Sequence, residues 1–217
     1  MRILLASLLV LSMMFTVASA EMLITASPFG QGRWVIEGAY LIDNNVANVS
    51  DFGLNTIGAY VGYGVTSAFD VILQAGSANA TGLPAGVTGS MTGIGLAGKY
   101  AILEEGNDMP VSMSVGAGFK STSTSGTIGS DTGSQIMVGL GVSKVLAPLA
   151  PYAGVAYRSN TASSGGNLAQ MDLTVGTAVA WSADGAVYLE YTMQSMTPDG
   201  GTAYTQGQMA VGVGYRI

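Results

Sequence analysis

Eight charged side chains stand where this chain could do chemistry: Glu37, Asp70, Asp172 and Glu190 against Lys99, Lys120, Arg158 and Arg216. Each lies in a stretch of alternating residues, and by the strand phases each falls on the interior face. Four charges of each sign sharing one interior would be nearly neutral, and two chemistries suit them. Paired across strands, Arg158 with Asp172 and Arg216 between Glu37 and Glu190, they would satisfy one another structurally. Arranged as a ring, they would form the constriction of a narrow pore for small solutes or ions.

Catalysis has little to work with here. The chain has no histidine and no cysteine, which removes nucleophiles activated by an imidazole and zinc sites built on imidazole or thiolate. No pair of acids shows a spacing that marks a carboxylate-only mechanism. The expectation is therefore a protein that is not an enzyme, with no catalytic, metal or cofactor-binding residue and no cofactor. With 13 acidic against 7 basic residues, a nucleic-acid partner is not expected either.

The elements that must hold those charges follow from a conflict in the composition. The chain is 48% hydrophobic and only 9% charged, whereas a soluble domain carries about 25% charge. Helical membrane proteins match such hydrophobicity, but they need runs of roughly 20 apolar residues. Only the start approaches that: Arg2, the apolar run Ile3 to Val17 and the triplet Ala18-Ser19-Ala20 have the order of a secretory signal peptide, expected to be cleaved after Ala20. Domain organisation is then residues 1–20 as signal peptide and 21–217 as one barrel domain. Without cysteine, neither a lipid anchor on an N-terminal cysteine nor a disulfide framework is available.

Past residue 20, Gly, Ser and Thr interrupt every apolar run, and alternation resolves the conflict. Ten segments show a two-residue period, at 33–42, 54–65, 69–76, 91–102, 110–120, 134–145, 151–158, 169–181, 185–194 and 206–217. At about 3.3 Å per residue and roughly 40° of tilt, such segments can cross an apolar band near 25 Å. In the fifth, Val111, Met113, Val115, Ala117 and Phe119 alternate with Ser112, Ser114, Gly116, Gly118 and Lys120. The expected fold is all-β, a closed antiparallel up-and-down transmembrane β-barrel of ten strands, with eight as the alternative.

Connections are expected to alternate, long at 43–53, 77–90, 121–133, 159–168 and 195–205, and short at 66–68, 103–109, 146–150 and 182–184. This rhythm puts both termini in the periplasm and gives the exterior five long loops carrying Asp43, Asp51, Asp131 and Asp199. Surface adhesion through those loops is the alternative to a small channel or structural barrel. The aromatics then band into two girdles, with Trp34, Tyr63, Phe69, Tyr100, Trp181 and Tyr215 at the periplasmic end and Tyr40, Phe119 and Tyr157 at the outer end. The inner face is unusually bare, with glycine at 58, 62, 95, 116, 118, 139, 154, 176 and 212 among others. That bareness suits either tight curvature or a water-filled cavity beside Tyr60, Tyr152 and Tyr188.

The leader, the alternating segments and the ending Val211-Gly212-Val213-Gly214-Tyr215-Arg216-Ile217 together resemble the small outer-membrane β-barrel family, which includes the OmpA-type barrels, over the whole chain after the leader. The resemblance implies residence at the cell surface of a Gram-negative-type envelope. It also implies outer-membrane lipid as surroundings and the barrel-assembly machinery as a partner during biogenesis. Family members usually end in an aromatic residue, whereas this chain ends in Ile217 with Tyr215 two residues before it. No peptidoglycan-binding domain is expected after the last strand. Enzymes of similar size in such membranes, the omptin proteases, the outer-membrane phospholipase and the lipid A palmitoyltransferase and deacylase, rely on a histidine that this chain lacks.

If the faces are assigned correctly, Val138→Arg puts a charge into hydrocarbon near mid-membrane and should cost about 2–4 kcal/mol, and Gly139→Ser on the opposite face much less. Reversible unfolding in lipid vesicles measures both, and equal costs contradict the phase.

Overall fold

In a computed structural model the structure describes residues 25–44, 46, 52–106, 108–127 and 129–217. The expected signal peptide, Asp51 and most of the first outer connection lie outside them. Ten strands follow in order: β1 (Trp34–Asn44), β2 (Gly53–Gly64), β3 (Phe69–Thr81), β4 (Gly89–Leu103), β5 (Ser112–Gly126), β6 (Gly129–Ser143), β7 (Leu149–Ala162), β8 (Asn167–Ala180), β9 (Gly185–Pro198) and β10 (Tyr204–Arg216). Each pairs antiparallel with its neighbours in sequence, and β1 closes on β10 through a ladder from Val35↔Arg216 to Asn44↔Gly207. The strand number is ten, not eight. At about 4.8 Å between strands and roughly 40° of tilt, the backbone cylinder has a radius of about 10 Å.

Alternation determines which face each residue meets. Val115, Leu140 and Val175 would pack into a dry centre in a soluble barrel, but they point outward with 38%, 47% and 52% of their surface exposed. On β10 the outward residues Met209, Val211, Val213 and Tyr215, continued by Ile217 just past its end, form one greasy stripe, while Gln208, Ala210 and Gly212 face in and are buried. Such a stripe covers about 20 Å along the axis. Repeated around the cylinder, these stripes make an apolar belt.

The connections differ from expectation. They comprise 45–52, 82–88, 127–128, 163–166 and 199–203 at one end, and 65–68, 104–111, 144–148 and 181–184 at the other. The long–short contrast disappears because the residues expected to be loop continue as strand beyond the belt. There the outward positions become hydroxylic, at Ser121, Ser123 and Ser125 on β5, Ser159 and Thr161 on β7, and Ser195 and Thr197 on β9, all exposed. We call this the rim end and the other, where the described chain begins, the floor end. Asp131 and Asp199 lie at the rim end, but Asp43 belongs to β1 and is fully buried inside the barrel.

Candidate functional site

The lumen is the candidate site, and the alternation that builds the belt also fills it. Inward positions within the rim hold an apolar cluster that includes Leu41, Phe52, Leu54, Met91, Leu168 and Met196. Below it lies a polar layer at mid-barrel. Arg158 on β7 pairs with Asp172 on β8 at 2.5 Å, both side chains almost wholly buried. Gln170 donates to Asp172 (2.7 Å), Gln135 to Asn160 (2.6 Å), Gln206 to Gln194 (2.8 Å) and Gln208 to both oxygens of Asp43 (3.0 Å). Lys120 is buried in the same region, with 2% of its surface exposed. Charges removed from water are tolerable only when partners replace the lost hydration, and this layer draws its members from seven strands.

Toward the floor, the bare inner wall is covered by rings. Tyr152 stands opposite Gly176 and Tyr188 opposite Gly212 in the ladders. A Cβ added at Gly176 or Gly212 would collide with the facing tyrosine ring, and one at Gly58 with the ring of Tyr60. Glycine therefore makes room for aromatic side chains that lie flat across the narrow lumen, a covering of glycine by rings known from sheets. The Tyr152 hydroxyl donates to Glu190 (3.1 Å), which also accepts from Thr192 (3.1 Å).

At the floor, Lys99 on β4 faces its ladder partner Asp70 on β3 at 3.3 Å. Residues 25–32 enter the mouth beside this pair, and Phe29 donates its amide to the Asp70 carboxylate (3.2 Å) while its ring lies 4.3 Å below the Lys99 ammonium. Glu37 and Lys99 line a cavity of 30 Å³ with Tyr60 and Ile72, about the space of one water.

Seven of the eight expected lumen charges face the interior; Arg216 does not. It reaches the mouth, where it is exposed and bonds Asp184 (3.2 Å) and the Ala183 carbonyl (3.1 Å), not Glu37 or Glu190. Its phase points inward, but strand tilt carries the end of β10 past the interior. With Asp43 added and Arg216 removed, the described interior holds Glu37, Asp43, Asp70, Asp172 and Glu190 against Lys99, Lys120 and Arg158, an acidic excess where near neutrality was expected. Extending the odd-numbered phase of Glu37 by three steps would have found Asp43. Of the outward aromatics, Trp34, Tyr63, Phe69, Tyr100 and Tyr215 stand toward the floor end of their strands and Trp181 just past the end of β8, whereas Tyr40, Phe119 and Tyr157, expected at the outer end, stand near the middle of theirs, because the strands continue beyond the belt. Trp34 and Tyr63 touch, with ring centroids 4.7 Å apart.

A closed ladder with a greasy outside and a charged, polar inside defines a class: the protein is an integral β-barrel of the outer-membrane type. Among solved structures it is similar to the β-domain of the Bordetella autotransporter BrkA (TM-score 0.53, 14% identity, 87% of this chain and 100% of that one). It is also similar to the outer membrane protease OmpT of Escherichia coli (TM-score 0.47, 10% identity, 85% and 95%) and to Neisserial surface protein A (TM-score 0.43, 12% identity, 85% and 97%). No protein-family model matches the chain, and no curated protein matches it. At these identities the likeness concerns the fold.

Arg158→Met should cost about 3–5 kcal/mol, because it strands the buried Asp172 carboxylate, whereas Arg158→Met with Asp172→Leu should regain most of that loss. Unfolding of the two single variants and the double variant in vesicles closes this cycle; additive losses would mean that the pair does not couple.

Proposed function

We propose that this protein serves as a structural surface barrel of the outer membrane whose lumen is closed to solutes, rather than as a porin-like channel. One observation carries the reading: at mid-barrel Arg158, Lys120, Asp172 and Gln194 are 0–3% exposed. Side chains lining a water-filled path would be wet. Instead the charges that could have formed a constriction are used up on one another and on the glutamines around them, as structural pairs would be. A ten-stranded barrel is narrow enough for this, lying nearer the side-chain-filled eight-stranded barrels than the open porins.

The reading carries the rest of the biology with it. The belt faces outer-membrane lipid, the assembly machinery inserts the barrel, and the floor end with both termini lies in the periplasm after the leader is removed at Ala20. A recognition role through long loops has less to stand on, since the described connections are short and the strands themselves form the exterior.

Planar-bilayer recording with the purified, folded protein is the direct test, and a silent membrane is expected. Reproducible conductance steps that change when Arg158 or Glu190 is neutralised would overturn the proposal in favour of a pore. A companion gel should show the unboiled protein migrating differently from the boiled one, as a detergent-resistant barrel does.

A further inference from the structure

The segment 25–32 belongs to no strand, yet it is held inside the floor end by atoms that recognise peptide backbone. Lys99 donates to the carbonyls of Thr25 (3.1 Å) and Ser27 (2.9 Å). An ammonium has three donors, and the third meets Asp70, so Lys99 is saturated only while the segment is in place. The Ser143 hydroxyl accepts from the Ala26 amide (3.0 Å), the Asp70 carboxylate accepts from the Phe29 amide (3.2 Å), and Ser27 bonds Ser112 (3.2 Å). Only Phe29 inserts a large side chain. Its ring occupies the space that a Cβ on Gly62 would need.

The attachment to the wall differs from core packing. The segment joins β1 through Gly30 and Gly32, whose φ angles of 93° and 77° lie in the left-handed region open to glycine. Gly32 donates its amide to the Gly64 carbonyl on β2 (2.8 Å), so the turn is anchored to the wall and the pivot is Gly30. Cavities of 30, 240 and 680 Å³ flank it. Point contacts to the main chain, one ring in a notch and a glycine hinge describe a bound ligand more than a structural element.

We propose that the floor of the lumen is a binding site for an extended peptide with an aromatic residue, and that its resident ligand is the chain's own segment 25–32, which leaves and returns as a stopper. Release exposes Glu37, Lys99 and Ile72 beneath the tyrosine layer and leaves the mid-barrel closure intact. The inference is therefore independent of the closed-lumen reading and is tested without conductance.

The chain has no cysteine, so Ile72→Cys places a single thiol behind Phe29, and Ser67→Cys in the exposed 65–68 turn serves as an open reference. Both are labelled with a membrane-impermeant maleimide in the folded full-length protein in detergent. Ile72→Cys should label slowly against the reference. Adding Gly62→Ala, which evicts the ring, or Phe29→Ala, which leaves the wall untouched, should speed it by about tenfold, the population change from a loss of roughly 1.4 kcal/mol. A synthetic peptide of residues 25–32 should slow the Phe29→Ala background again. The proposal is overturned if Ile72→Cys already labels at the reference rate. It is equally overturned if neither variant accelerates labelling while the protein still shows its heat-dependent gel shift, or if the peptide protects nothing.

Discussion

Inside hydrocarbon a backbone amide without a partner costs several kcal/mol, and no water is present to offer one. A sheet with edges cannot meet that condition. The ladder from Val35↔Arg216 to Asn44↔Gly207 that seals β1 to β10 removes the edges, and the remaining structure follows from it. Once the cylinder is closed, every strand has one face on lipid and one on the lumen, so a two-residue period decides the environment of each side chain. Outward residues such as Leu189 and Val211 need no partner in lipid, whereas inward charges such as Asp172 and Lys99 must find one within the barrel.

This division also explains what could be read from the sequence. Within the belt, greasy and polar residues contrast sharply, so the faces of β5, β8 and β10 were legible residue by residue, and with them the inward position of Arg158 and Asp172. Beyond the belt the contrast vanishes. From Ser121 to Gly126, both the exposed and the buried positions of β5 are hydroxyl-bearing or glycine, and nothing in such a stretch distinguishes strand from loop. Asp43 was misplaced for another reason: its phase with Glu37 continues through Ala39 and Leu41, but an acid after the apolar run Tyr40 to Ile42 reads as the start of a loop. Arg216 failed differently: phase tells which way a residue points, whereas height depends on tilt and register, which only the ladder reveals. The segment at 25–32 carries no period at all, so its contacts with Asp70 and Lys99 left no trace in the pattern.

The glycines on the inner wall illustrate how two readings of one signal can both fall short. A bare wall suggested either curvature or a watery cavity, yet rings from neighbouring strands occupy the space, with Tyr152 over Gly176 and Tyr188 over Gly212. In a cylinder of about 10 Å backbone radius, a large side chain on one strand requires an absent one beside it. Size complementarity between adjacent strands, rather than the size of any single residue, sets how much of the centre is filled.

The hydroxylated strand tips above the belt have a consequence for how any surface that met the rim would engage it. A mobile loop must be frozen when it is grasped, and the ordering of each side chain subtracts from affinity. Strand tips tied into a continuous ladder are already ordered, so a visiting surface would find a stiff crown rich in Ser and Thr, with Asp131 and Asp199 among them, and with little freedom left to lose. Attachment there would depend on matching a fixed contour, and a change of a single crown residue would alter that contour without any adaptation by its neighbours to mask it.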